Sequence, residues 1–224
     1  MNVAIACRAL ARHGLVIGSQ GNASERLQHM MLIKASGVTC EKVAVHTHVA
    51  RVDLADGSYV GVHPSTDAEA HRRVYNRLAH VGGIVHTHSP YATAWACAGW
   101  AIPCVSTGQA DEFGGDIPLS AYCRIGGAEI GEEIVRLWEQ DGRRTAFLIR
   151  QHGVFTIGET LETAVKAAVM VEHHARVAWL AQQMRGLWRM SDEEIDANYE
   201  RYHTDYGQRE HAQGDRQPAR LGDR

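Results

Sequence analysis

The chain has no apolar run long enough to cross a bilayer, so no membrane helix is expected. It also has no Cys-x-x-Cys pair. Its five cysteines (Cys7, Cys40, Cys97, Cys104 and Cys123) are odd in number and widely scattered. That argues against a disulfide framework or a cysteine zinc site, and for a reducing cytoplasm. An excess of one charge is absent too. A formal net charge of −3 makes no basic field, so nucleic acid is not the expected partner. Arg8 and Arg12 fall within the first turns, which leaves no apolar core for a secretory leader. No internal repeat, dinucleotide fingerprint or P-loop pattern is present.

What remains is an ordinary globular composition, 45% hydrophobic and 22% charged over 224 residues, enough for one large domain with a sizeable core. That domain is expected over 1–208. Residues 209–224 hold one Leu, two Ala and no other hydrophobic residue, and are expected to form a disordered tail. Helical spacing predicts helices over 2–13, 68–78, 91–97, 126–139, 161–184 and 191–206. Thr160 is the expected N-cap of the longest, whose buried face would carry Leu161, Val165, Ala168, Ala175 and Trp179. Strands are expected just before the Gly-rich turn at Gly18–Ser24, over 31–34, 47–54, 58–62, 84–88, 101–106, 146–149 and 154–157, and an acidic loop over 109–116. Meandering strands with helices interposed point to a largely antiparallel sheet covered on both faces.

Chemistry concentrates around Gly82-Gly83-Ile84-Val85-His86-Thr87-His88-Ser89-Pro90. Residues two apart on a strand share a face, so His86 and His88 can present two imidazoles to one cation. The alternative is a strand whose histidines pair with nothing. His152, far along the chain beside Gly153, is a candidate third ligand. Three distant histidines leave coordination positions open, as catalytic rather than structural sites do. Two small-residue turns could admit an anion: Gly18–Ser24, and Ala35-Ser36-Gly37 after Lys34. Ser65, Thr66 and Asp67 lie at a helix start, where capping and anion binding are both favoured.

Taken together these segments resemble the class II aldolase/adducin family, and within it the L-ribulose-5-phosphate 4-epimerases. The resemblance runs from about Gly14 to Gln208. It rests on Gly21-Asn22-Ala23-Ser24, Ile33-Lys34-Ala35-Ser36-Gly37, Pro64-Ser65-Thr66-Asp67, Gly83-Ile84-Val85-His86-Thr87-His88-Ser89, Ala110-Asp111-Glu112-Phe113, His152-Gly153 and Tyr206-Gly207-Gln208. It implies an α/β fold, a three-layer α/β/α sandwich around a mainly antiparallel sheet, assembled as a cyclic homotetramer with active sites at subunit interfaces. His86, His88 and His152 match the family's zinc ligands, with Mn²⁺ or Co²⁺ able to substitute. Asp67, an aspartate as in the epimerases, is a candidate fourth ligand. Asn22, Lys34, Ser36, Gly37, Ser65 and Thr66 match the pocket for a phosphorylated ketopentose. Asp111 and Tyr206 match the acid/base pair, Tyr206 reaching in from a neighbouring subunit.

The implied reaction inverts a carbon that has no acidic proton, by cleaving and re-forming the C3–C4 bond of L-ribulose 5-phosphate to give D-xylulose 5-phosphate. Departures from the epimerase pattern are Ala35 in place of a proline, the stretch Gln109–Phe113, and a shorter segment before Tyr206. The rivals are a class II sugar-phosphate aldolase, a related decarboxylase or dehydratase, and an adducin-like structural module without chemistry.

Overall fold

The structure is a computed structural model describing residues 1–205. Tyr206, the Tyr-Gly-Gln ending and the expected tail lie outside the described residues. Strands β1 (Asn22–Leu27), β2 (Met30–Lys34), β3 (Val49–Asp53), β4 (Tyr59–Val60), β5 (Gly83–Thr87), β6 (Ala146–Ile149) and β7 (Gly153–Gly158) form one sheet. Its order is β4-β3-β2-β1-β5-β7-β6. Every pairing in it is antiparallel. β1 runs next to β5 with Asn22 opposite His86, and β7 flanks β5 with Phe155 opposite His86.

Alternation along the strands sends successive side chains into different layers. Ile33, Ile84, Phe147, Phe155 and Ile157 pack under α2 (Ala68–Arg77) and α5 (Glu129–Gln140). On the other face, Ala23 and Val85 meet α1 (Val3–Arg12) and α6 (Leu161–Met184), while Ala146, Leu148 and Val154 meet α3 (Pro90–Ala98) and α6. This is the expected α/β/α sandwich. α6 starts where predicted: Thr160 accepts the Thr163 N–H at 3.2 Å, and Thr163 returns the bond to the Thr160 N–H. The Glu172 carboxylate of α6 accepts the Tyr91 and Ala92 N–H groups at 3.0 Å each. It thereby caps α3 and anchors the chain just after His88.

Four local expectations are corrected. The strand near the Gly-rich turn follows the turn, at Asn22–Leu27, and does not precede it. Residues 101–106 make only one bridge, Ile102 to Ile117, because Pro103 has no N–H to extend a ladder. The acidic stretch is helical: α4 (Thr107–Phe113) buries Gln109, Ala110 and Phe113 and ends at left-handed Gly114. Trp179, expected on the buried face of α6, is 41% exposed. The last helix, α7 (Asp192–Thr204), lies against α4 and opens with a Ser191–Glu194 capping box.

Candidate active site

β5 delivers His86 into the sheet interior, and the chain immediately beyond it delivers His88. The turn between β6 and β7 delivers His152. That turn needs Gln151 in the left-handed region (φ 58°), and Gly153 after it packs against β5. A methyl at Gly153 would lie 2.5 Å from the Thr87 carbonyl oxygen and 3.3 Å from His86 Cε1. The result is three rings in mutual contact, with centroids 4.7 Å (His86–His88), 4.7 Å (His86–His152) and 5.1 Å (His88–His152) apart. One ring nitrogen from each lies within 4.8 Å of the others.

The protonation of this cluster suits a cation. His86 Nδ1 donates to the Val154 carbonyl at 2.9 Å, which leaves Nε2 with its lone pair towards His88 Nε2, 3.0 Å away. Burial, then the neighbouring His152 and His88, hold His86 well below the ordinary histidine range. Burial lowers His88 and His152 as well. All three are thus neutral imidazoles at neutral pH, the form a cation needs. Nδ1 of His152 and Oδ1 of Asp67 are buried with no hydrogen-bond partner among the described residues, as suits groups arranged around an ion. The donor set fits a divalent cation of the zinc type.

Asp67 occupies the N-cap position of α2 but its side chain caps nothing. The carboxylate turns to the histidines, with Oδ2 3.9 Å from His86 Nε2, and is held by Asn22 Nδ2 at 2.7 Å. Asn22 also donates to Ser65 Oγ at 3.0 Å. Its placement follows from register, since Asn22 is the residue of β1 opposite His86.

Beside this group is a cleft of about 310 Å³ that also takes in Ser19, Lys34, Ser36, Gly37, Thr66 and Ile125. Lys34 is only 2% exposed and has no carboxylate partner among the described residues; Nζ donates to the Ser19 and Ala35 carbonyls at 3.1 and 3.2 Å. A buried ammonium with only carbonyl partners suits an anion as a further partner. Gly21 lets the turn close over β5: its φ is +76°, and a methyl there would meet Val16 Cγ1 at 2.5 Å and the His86 oxygen at 2.9 Å. Ala35, which stands where the epimerase pattern has a proline, donates its N–H to the His48 carbonyl at 2.9 Å, a bond a proline could not make. A larger cavity of about 410 Å³ near α6 and α7 contains none of these groups, and its Lys166 is tied to Glu112 at 2.6 Å.

The structure therefore brings Asn22, Lys34, Ser36, Gly37, Ser65, Thr66, Asp67, His86, His88 and His152 into one site. Asp111 is not among the residues lining that cleft. It lies on α4, where both carboxylate oxygens accept from Arg201 Nη2 of α7 at 3.0 Å. Gln109 is part of the scaffold of that helix, its Nε2 3.3 Å from the Ile102 and Gly115 carbonyls. Sequence reasoning missed Ile125, an exposed apolar residue at the cleft mouth, for which no pattern was available. It also missed the buried chain Ser24–His71–Tyr75 behind Asp67, whose signal was the spacing of four between Asp67, His71 and Tyr75 along α2.

Fold and site together define a three-layer α/β/α protein with three clustered histidines that could hold a metal ion, beside a polar cleft. The chain belongs to the class II aldolase and adducin family, whose N-terminal domain matches residues 1–179. An L-ribulose-5-phosphate 4-epimerase (UlaF) of Salmonella paratyphi C is 42% identical over 185 residues, covering 77% of this chain and 80% of its own. The protein of the same description from Salmonella paratyphi A is 39% identical over 216 residues, covering 89% and 94%. Among solved structures, an L-fuculose 1-phosphate aldolase superposes with a TM-score of 0.82 at 24% identity, covering 90% of this chain and 94% of its own. The l-fuculose-1-phosphate aldolase of Thermus thermophilus gives 0.73 at 21% identity, covering 84% and 96%. These two share the fold. No helix among the described residues is long and apolar enough to cross a membrane.

Proposed function

We propose that this protein is a cation-dependent L-ribulose-5-phosphate 4-epimerase, interconverting that sugar and D-xylulose 5-phosphate through cleavage and re-formation of the C3–C4 bond. The observation that carries the reading is the juxtaposition of three neutral imidazoles and Asp67 with the unpaired, buried Lys34 in one cleft. The names of relatives at about 40% identity support it. A zinc ion held by His86, His88 and His152, with Asp67 as a fourth ligand or close neighbour, would polarise the substrate carbonyl and stabilise the charge left on the ketose fragment.

The chain's own groups then divide the work. Ser36, Gly37, Ser65 and Thr66 hold the phosphate, and Lys34 neutralises charge beside it. Asn22 orients Asp67 and faces the substrate. A base removes the C4 hydroxyl proton as C3–C4 breaks, giving glycolaldehyde phosphate and an enolate fragment. The aldehyde rotates with its phosphate still anchored, the bond re-forms on its other face, and an acid protonates the new C4 oxygen. Two proton carriers on opposite faces are required, and Asp111 and Tyr206 are the pair. Because Asp111 does not line its own chain's cleft, it would serve the site of an adjacent copy in a homotetramer with sites at subunit interfaces. The free cysteines suit a reducing cytoplasm.

The test is turnover of L-ribulose 5-phosphate with and without chelator, following both D-xylulose 5-phosphate and free glycolaldehyde phosphate. Chelator-sensitive epimer with little free aldehyde is expected. Aldehyde without epimer would make the protein an aldolase, a reading the fold neighbours keep in view.

A further inference from the structure

The last turn of α4 is completed by α7. The final carbonyls of a helix have no donor within it and must find one elsewhere. In α4 the Ala110 carbonyl takes the Gly114 N–H at 2.9 Å, and the Asp111 carbonyl lies 3.1 Å from His203 Nε2 of α7. A carbonyl only accepts, so His203 donates through an Nε2–H. Two residues earlier on α7, Arg201 Nη2 donates to both Asp111 carboxylate oxygens at 3.0 Å each. Equidistant from the two oxygens, that donor fixes the direction of the carboxylate and leaves each oxygen a further lone pair for a proton. The next carboxylate of α4, Glu112, pairs with Lys166 of α6 at 2.6 Å, and Lys166 also donates to the Tyr202 hydroxyl of α7 at 3.1 Å.

Little apolar burial holds α7 in place. Ile195 is its one buried residue, packed with Cys104, Ala110 and Met190. The rest of the contact is polar and open to water. Arg143 pairs with Asp196 at 2.6 Å and lies over the Tyr199 ring at 5.4 Å. The side chains of Arg143 and Arg201 are 39% and 49% exposed. Exposed ion pairs are individually weak, and salt weakens them further. A helix held mainly by them belongs to the least stable part of a fold.

We infer that α7 is an ionic clamp on α4, and that Arg201 is the positioning residue of Asp111, whose carboxylate keeps one direction only while α7 is docked. Ionic strength then governs the docking, and the docking governs the proton carrier. For that consequence the inference rests on the acid/base reading of Asp111; the docking itself does not depend on it.

The test has two arms, both on the full chain. Hydrogen exchange read by mass spectrometry follows peptides from α4, α7, β5 and β7 at about 0.05 and about 0.5 M NaCl, between which the screening length falls from roughly 14 to roughly 4 Å. Salt should speed exchange in α7 and in the last turn of α4 and leave β5 and β7 unchanged. Arg201→Met at the lower salt should speed α7 exchange about 1.5- to 5-fold, the effect of losing one exposed pair. Exchange in α7 that answers to neither salt nor Arg201→Met overturns the clamp. In the second arm, turnover of L-ribulose 5-phosphate and Zn²⁺ affinity are measured on the same variants. Arg201→Met should lower kcat about 10- to 100-fold, as displacement of a reacting group does, with KM and zinc affinity held. Arg201→Lys, which keeps the charge, should recover part of the loss. In an Asp111→Asn background Arg201→Met should add little. An unchanged kcat, or a full further loss in that background, overturns the positioning role. If the unaltered protein turns over no L-ribulose 5-phosphate, the epimerase reading fails instead, and the exchange arm decides the clamp by itself.

Discussion

Nε2 of His86 and Nε2 of His88 face each other across 3.0 Å. Since the Val154 carbonyl takes the His86 Nδ1 proton, the first of these atoms is a bare lone pair. Burial and the adjacent rings oppose protonation of either imidazole. In the cation-free protein neutral His88 can donate an Nε2–H to that lone pair, and the three rings could instead hold a shared cation in its place.

Removing one ligand should therefore cost binding and turnover together. His152→Asn is expected to weaken Zn²⁺ by more than about 100-fold, beyond the effect of losing an outer partner. Metal content after dialysis, measured by atomic absorption, checks it. Full zinc occupancy in the variant would place the ion elsewhere.

Asp111→Asn should behave oppositely, since Asp111 lies outside the cleft lining. Zinc affinity should be unchanged while kcat falls about 10²- to 10⁴-fold, the range for losing a general acid or base. Mixing Asp111→Asn and His152→Asn subunits should restore part of the activity if each site draws on two copies. No restoration would mean that the site is built within one chain.

Lys34→Met removes a buried ammonium whose partners are two carbonyls. A charge-assisted bond to substrate of about 1.5–3 kcal/mol would be lost, so KM for a phosphorylated sugar should rise roughly 10- to 100-fold. Thermal stability should hold or improve, because an unpaired charge leaves the interior. An unchanged KM would exclude Lys34 from anion recognition.

Gly153→Ala places a methyl 2.5 Å from the Thr87 carbonyl oxygen. A contact this short against backbone forces β5 and the β6–β7 turn apart, costing about 1–3 kcal/mol, with His86 and His152 both displaced. Urea denaturation midpoint and zinc affinity should fall together.

Acid should destabilise the cation-free protein through its buried histidines. His71 is lowered from 6.5 to about 3 and His174 to about 4, both chiefly by burial. Below the unfolded value the unfolded chain binds protons that the native one refuses, so stability falls as pH drops through about 6.5. At about pH 5 His71 alone accounts for roughly 2 kcal/mol. The urea midpoint, followed from about pH 7.5 to 5, should decline, and a flat profile would contradict the assigned burial.

Local sequence was sufficient for the pieces. The helical period of α6 and its Thr160 cap, the alternation of β5, the His-x-His spacing and the small-residue turns are all short-range properties, readable from neighbours along the chain. It failed where a short apolar or polar segment is ambiguous: 101–106 against Pro103, and α4, whose helix depends on burying Gln109, Ala110 and Phe113. Only the tertiary structure decided how the pieces meet. Antiparallel register puts Asn22 opposite His86, and the β6–β7 turn brings His152 to the same place from 66 residues beyond His86. It turned Asp67 from capping α2 to facing the histidines, and paired Asp111 with Arg201 outside the cleft. These choices depend on long-range strand pairing and on which buried polar groups find partners, and neither is encoded in the spacing of adjacent residues.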